Sequence, residues 1–257
     1  MKKTFAILAA FCIFSMGAFA QDKQIFNHLS VGPAIGDGLG VEIAMPIGPQ
    51  FQVRAGYSFV IPLTLNLDLS AYASTLFGSN SIPRDLSNIP VTPSIWKGGL
   101  GNIMFDFFPS KTGSFHLSAG ILIGSGSLAN VKVNLTSVLK PNEYGTLAIG
   151  PEGKEPLSSD KNGFAYIDWK VNPVMPFIGL GWGRPCRQDR LVSVVFDMGV
   201  AFSGKGKIQS YNYVPSTPKT VELNSTYFNN QDKGLIDAIA GIPVYPMLKL
   251  TIFFRCF

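Results

Sequence analysis

Residues 243–257 read PVYPMLKLTIFFRCF, and this stretch decides the fold. From Leu248 onward apolar and polar positions alternate. Leu248, Leu250, Ile252 and Phe254 fall in one phase; Lys249, Thr251, Phe253 and Arg255 fall in the other. A period of two places successive side chains on opposite faces of an extended chain, so the segment is a strand. One face needs an apolar environment. The other carries Lys249 and Arg255 and needs partners for their charges.

The same alternation recurs seven times upstream. Strands are predicted over about 28–35, 39–45, 51–61, 98–108, 114–124, 175–183 and 191–202. Each approaches the roughly 9–11 residues that a tilted membrane strand requires. The connections sort by parity. Short ones lie at 46–49, 109–113 and 184–189, with Asp37-Gly38 a tight turn; long ones span about 62–97, 125–174 and 203–242. In an eight-stranded barrel with both ends on one side, the short connections are the second, fourth and sixth. The long ones are the third, fifth and seventh. Short turns on the periplasmic side and longer loops outside are the pattern of transmembrane barrels, and a soluble sandwich has no reason to follow it. We therefore expect an all-β, eight-stranded antiparallel transmembrane barrel with three long extracellular loops. Ten strands are the alternative, because Leu63, Leu65, Leu67 and Leu69, and Val131, Val133 and Leu135, also alternate with polar residues. These runs either extend barrel strands or form hairpins above them. Residues 234–241 (GLIDAIAG) fit one helical turn.

The N-terminus agrees with export. Lys2 and Lys3, an apolar run over 5–14 and the A-x-A site Ala18-Phe19-Ala20 read as a signal peptide over 1–20. That leaves 21–257 as the barrel domain, with no appended peptidoglycan-binding domain expected. Beyond this leader no apolar run approaches the roughly 20 residues of a spanning helix. The mean hydropathy is nevertheless +0.24, with 20 Phe, 27 Gly and only 14% charged residues. Apolar residues dispersed in alternation account for that balance. The formal charge is +5, of which Lys2 and Lys3 supply two. This is too small to argue for nucleic acid. Cys186 and Cys256 belong to no CxxC or Cys/His cluster, so neither metal nor cofactor is expected. Both fall near the periplasmic end, which leaves a disulfide between them open.

Along the inward phase lie Glu42, Arg54, Asp106, Asp197, Lys249 and Arg255, three acids and three bases. Buried charges must pair, and an eight-stranded barrel has an interior just wide enough for side chains to fill. A structural ion-pair network is favoured over an ion path, with Gly40, Gly56, Gly179, Gly181 and Gly199 making room. Aromatics near strand ends (Tyr57, Trp96, Phe107, Phe108, Phe115, Trp182, Tyr245 and Phe257) suit interfacial girdles.

Three stretches carry a family resemblance: 104–109 (MFDFFP) with 114–120 (SFHLSAG), 176–183 (PFIGLGWG) with 194–204 (VVFDMGVAFSG), and the ending 254–257. The chain resembles the small outer-membrane β-barrels of Gram-negative bacteria, the OmpA-like barrel superfamily, over most of its length. The resemblance implies an outer-membrane location, lipid and lipopolysaccharide as surroundings, and assembly by the barrel machinery through the terminal aromatics Phe254 and Phe257. The family's ending is aromatic–Arg–Phe. Here Cys256 intervenes and puts Phe257 out of phase with Phe254 unless a bulge absorbs it. His116 and Ser118 are similar to the His and Ser of outer-membrane lipid A deacylases, whose pair faces lipid. Here the apolar phase is Phe115, Leu117 and Ala119, so both point into the lumen, and the Asn that follows the family's Ser is Ala119. No catalytic residue is assigned. The expected role is non-enzymatic: envelope integrity, or contact with a surface ligand through the long loops. A narrow channel for small or hydrophobic solutes is the first alternative, and a lipid A-modifying enzyme the second.

Overall fold

A computed structural model describes residues 28–61, 64–67, 88–137, 146–149, 155–187, 189–213, 219–222 and 241–256. The expected signal peptide, Phe257 and most of the helical turn expected over 234–241 lie outside them. Sixteen strands, β1 to β16 in chain order, make up the described structure.

Eight of them close a barrel: β1 (Ser30–Ile35), β2 (Leu39–Pro46), β3 (Phe51–Phe59), β6 (Leu100–Phe107), β7 (Phe115–Gly124), β12 (Val174–Trp182), β13 (Val192–Phe202) and β16 (Val244–Arg255). These are the eight expected segments, with ends shifted by a few residues. All neighbours are antiparallel. The ring closes where β1 meets β16, with Ser30 opposite Arg255 and Ile35 opposite Leu250. The amide of Cys256 extends this seam by donating to the Leu29 carbonyl at 2.8 Å. Closure leaves no strand edge unpaired in the ring, which is a requirement for backbone in lipid.

The pleat turns the usual distribution inside out. On β16 Leu248, Leu250, Ile252 and Phe254 are exposed, while Met247, Lys249, Thr251 and Phe253 are buried. Outward positions elsewhere are equally apolar: Val41, Ile43, Ile103, Phe105, Leu117, Ile178 and Val194 are all exposed. Rings gather at the short-turn end of this outer face. Phe51 packs on Phe107 at 5.2 Å between centroids, and Phe115 on Trp182 at 5.8 Å. An apolar band with an aromatic rim matches a bilayer rather than water. Three expected girdle residues are elsewhere. Trp96 and Phe108 are fully buried, and Tyr245 is half-buried against Trp96 with ring centroids 5.2 Å apart.

The long connections are not loops alone. β4 (Leu65–Leu67), β5 (Ile89–Ile95), β8 (Ser127–Asn134), β11 (Phe164–Lys170), β14 (Lys207–Asn212) and β15 (Lys219–Glu222) form one six-stranded sheet in the order β15-β14-β11-β8-β5-β4. A hairpin of β9 (Thr146–Ile149) and β10 (Glu155–Ser158) accompanies it. The sheet draws strands from all three long connections and stands on the barrel wall. Backbone bonds run across the junction from Trp96 to Leu128 (2.9 Å), Val171 to Gly126 (2.9 Å) and Asn172 to Ser203 (3.0 Å). Leu65, Leu67, Val131 and Val133 thus belong to no ninth or tenth barrel strand: above the ring β4 pairs with β5 and β8 with β11, as hairpins joined into one sheet.

Candidate functional site

The lumen is filled in three layers. At the short-turn end Phe253, Val195, Ala44 and Cys186 form a small apolar floor. Burial pushes the Cys186 thiol up to about 11, so it stays protonated near neutral pH. Both cysteines are free, Cys186 buried and Cys256 exposed.

The middle layer is ionic. The Arg54 guanidinium, fully buried, donates from Nη1 to Asp197 Oδ2 at 2.6 Å and from Nη2 to Asp197 Oδ1 at 2.9 Å. Its other edge lies on Asp106, with Nη2 donating to Oδ1 at 2.9 Å and Nε 2.7 Å from Oδ2. A fork of five N–H groups is what lets one arginine hold two carboxylates. Glu42 lies 3.6 Å from Nη1, accepts from Thr251 Oγ1 at 3.1 Å and pairs with the Lys249 ammonium. Five strands thereby converge: β2, β3, β6, β13 and β16, the last supplying Lys249 and Thr251. Five of the six charged residues expected in the lumen meet here. Arg255 does not. It is half-buried at the short-turn end, where Nη1 donates to the Arg187 carbonyl at 3.5 Å. Phe254 points outward and is exposed.

Two residues not counted among the charged set complete this layer. His116 Nε2 is 2.9 Å from Asp197 Oδ1, and Ser118 Oγ donates to Asp106 Oδ1 at 2.7 Å. Both point into the lumen, as their phase requires. Ser118 gives its proton to a carboxylate instead of to His116, so the nucleophile–base hydrogen bond of covalent catalysis is replaced by two separate ties to acids. Three carboxylates thus face Arg54 and Lys249 in one layer, with His116 and Ser118 tied to two of them.

Above the ions lies an apolar cap of Trp96, Leu100, Met104, Leu122, Met175, Phe177, Ala201 and Met247, with Leu128, Val171 and Tyr245 packed on it. Trp96 enters it from the turn between β5 and β6. It is the non-glycine residue with positive φ (49°) among those described, and Gly98 and Gly99 follow at 85° and 94°. The Gly99 amide donates back to the Trp96 carbonyl at 2.7 Å. A left-handed tryptophan costs roughly 1–3 kcal/mol, and here the turn uses it to drop a large ring onto the mouth of the barrel.

Two further groups had no signal in the sequence. Arg184 ties the three short turns together: Nη1 donates to the Pro49 carbonyl and Nη2 to that of Ser110, both at 3.0 Å, and Nε to that of Gly113 at 3.4 Å. Its guanidinium lies over the Phe108 ring at 4.1 Å. A cleft of about 430 Å³ opens beside it, lined by His28, Gln52, Lys111 and Arg187 among others. Its two arginines are committed to turn carbonyls and to Asp189. In the upper sheet, buried Asp168 accepts from Ser127 Oγ at 3.1 Å, Tyr211 Oη at 3.0 Å and Asn130 Nδ2, with Lys170 Nζ 3.5 Å away. Burial alone would raise its pKa. The Asn130 and Tyr211 hydrogen bonds, the Lys170 ammonium and the Ser127 hydroxyl outweigh that and hold it below the ordinary value.

No protein-family model and no curated protein sequence matches this chain. Among solved structures it is similar to CarO2 of Acinetobacter baumannii, at 15% identity and a TM-score of 0.47, covering 89% of this chain and 98% of that one. CarO of the same organism is similar at 11% identity and 0.46, covering 88% and 96%. A major outer membrane protein of Thermus thermophilus is similar at 10% identity and 0.37, covering 89% and 98%.

Proposed function

We propose that this chain is an exported outer-membrane barrel that is closed to solutes and works at its outer surface, as a non-enzymatic interaction or envelope protein. One observation carries the reading: buried side chains occupy the lumen from floor to cap. An eight-stranded barrel can hold only side chains or one small ligand inside. Here the apolar floor, the Arg54 layer and the Trp96 cap take that space. The largest structure outside the apolar band is the six-stranded sheet built from three separate connections. Function on such scaffolds resides in what is grafted onto them.

The lipid A-modifying alternative is disfavoured because Ser118 and His116 are bonded to separate carboxylates inside the barrel. The channel alternative requires that the cap and the ionic layer both part.

The test is surface proteolysis of intact cells followed by gel electrophoresis of outer membranes with and without boiling. The reading expects a boiling-dependent mobility shift and cuts only within 62–97, 125–174 and 203–242. A soluble chain without the shift, or cuts in the short turns of intact cells, sinks it.

A further inference from the structure

The upper sheet is two-faced. Along β8, Val131 and Val133 fall on one face, with Ile167, Ile208 and Val221 brought to the same face by the pairings of β11, β14 and β15. The other face is polar and aromatic, and one row crosses the whole sheet. Thr64 Oγ1 lies 2.9 Å from Thr92 Oγ1; Thr92 is opposite Lys132, and Lys132 opposite Tyr166. The Ile167–Ser210 pairing sets Tyr166 beside Tyr211, which is opposite Thr220. All six side chains are exposed or half-exposed. Strands lie about 4.8 Å apart, so the row runs about 24 Å. Phe164, Tyr213 and Gln209 flank it.

This face overlooks the closed mouth of the barrel. Leu128 packs on the apolar cap, and alternation along β8 puts Asn130 and Lys132 on the side of Leu128. The face is also nearly neutral. Asp168 is held by Lys170 and three hydrogen bonds, Lys207 pairs with Glu222 at 3.0 Å, and Lys132 Nζ sits 3.7 Å over the Phe164 ring. The Asp168–Lys170 and Lys207–Glu222 pairs cancel, and the single Lys132 ammonium that remains is too weak a field to select a polyanion. Hydroxyls, amides and tyrosine rings remain. Tyrosine supplies rigid amphipathic contact area at low entropic cost.

We propose that this row binds a neutral, linear polysaccharide laid across the strands. The tyrosine rings take the C–H faces of the pyranoses, and the threonine, Gln209 and Lys132 side chains bond their hydroxyls. The strand spacing is close to that of successive rings in an extended glycan, so the row offers about one side chain to each sugar. The inference rests on the reading that this sheet lies outside the cell.

The experiment is titration of the full-length protein in detergent with cellohexaose and chitohexaose, with oligogalacturonate as the acidic comparison. Saturation-transfer NMR on the same samples reads contact between sugar protons and aromatic rings without any variant. We expect binding of at least one neutral hexasaccharide, indifferent to salt. Tyr166→Ala should weaken it at least about tenfold, and Tyr166→Phe should keep it. Saturation should pass from the rings to the sugar. Absence of binding to both neutral probes overturns the proposal, as does binding unchanged in Tyr166→Ala. So does a preference for oligogalacturonate that vanishes in salt. Surface proteolysis separates the two levels. If the sheet is cut on intact cells but binds no glycan, only this inference falls; if it is not reached, the outer-surface reading falls as well.

Discussion

Arg54 is the residue on which the interior depends. It faces Asp106, Asp197 and Glu42 from a fully buried position. Replacing it leaves Asp106 and Asp197 without the guanidinium they share and Glu42 with Lys249. Breaking a buried ion pair by deleting one partner costs about 3–5 kcal/mol. Arg54→Met should therefore lower the temperature of the heat-modifiable gel shift, and Arg54→Lys should recover only part of it, because an ammonium cannot fork onto two carboxylates. The paired acids and bases were legible in the sequence because each falls in the inward phase of its strand. Arg54 as their common centre was not, since that depends on how strands far apart in sequence align around the ring. The inward aim of His116 and Ser118 was legible too, yet their carboxylate partners sit on β13 and β6. Space for the imidazole comes from Gly181, where a Cβ would lie 2.5 Å from His116 Nε2 and 2.7 Å from Asp197 Oδ1. The cysteines give a second test at this scale. Maleimide near neutral pH should label exposed Cys256 and leave buried, protonated Cys186 untouched until the barrel is unfolded. Equal labelling of both in the folded protein would contradict the floor described for the lumen.

The upper sheet was the element least legible beforehand. Period-two alternation marked β8 and the run around β4, since Val131, Val133 and Leu65 alternate with polar residues. β5 carries Pro90 and Pro93, which weaken a strand signal, and β11 (FAYIDWK) carries rings in both phases. Their assembly into one sheet depends on the barrel holding the stems of β6, β7, β12 and β13 side by side. Asp168 pins β8, β11 and β14 there. Its folded pKa lies below the unfolded value of about 3.9. Its contribution is therefore fully present above that pH and is lost as pH falls through the folded value. Hydrogen exchange at the amides of β8, β11 and β14 should quicken as pH is lowered beyond about 4, relative to the intrinsic rate, while β12 and β13 keep their protection. Asp168→Asn should loosen the same three strands at neutral pH and abolish the pH dependence. Protection that ignores both changes would mean that the carboxylate does not hold the sheet.

At the scale of the molecule the chain is a tube with its apolar surface outside and its charges inside, plugged twice. The eight barrel strands and the parity of their connections were legible because a lipid-facing wall imposes strict alternation and a fixed order of short and long links. The apolar cap was not, because it depends on Trp96 adopting a left-handed turn that removes it from the girdle its sequence position indicated. Deleting that ring should cost about 3–5 kcal/mol, as for other buried aromatics. It should not open a path, since the Arg54 layer lies beneath it. The measurement that tests closure most directly is conductance of the purified protein in a planar bilayer, wild type beside Trp96→Ala. We predict no steady conductance steps from either at both polarities. Regular steps from the folded wild type, scaling with salt, would show that the ionic layer conducts and would contradict the account.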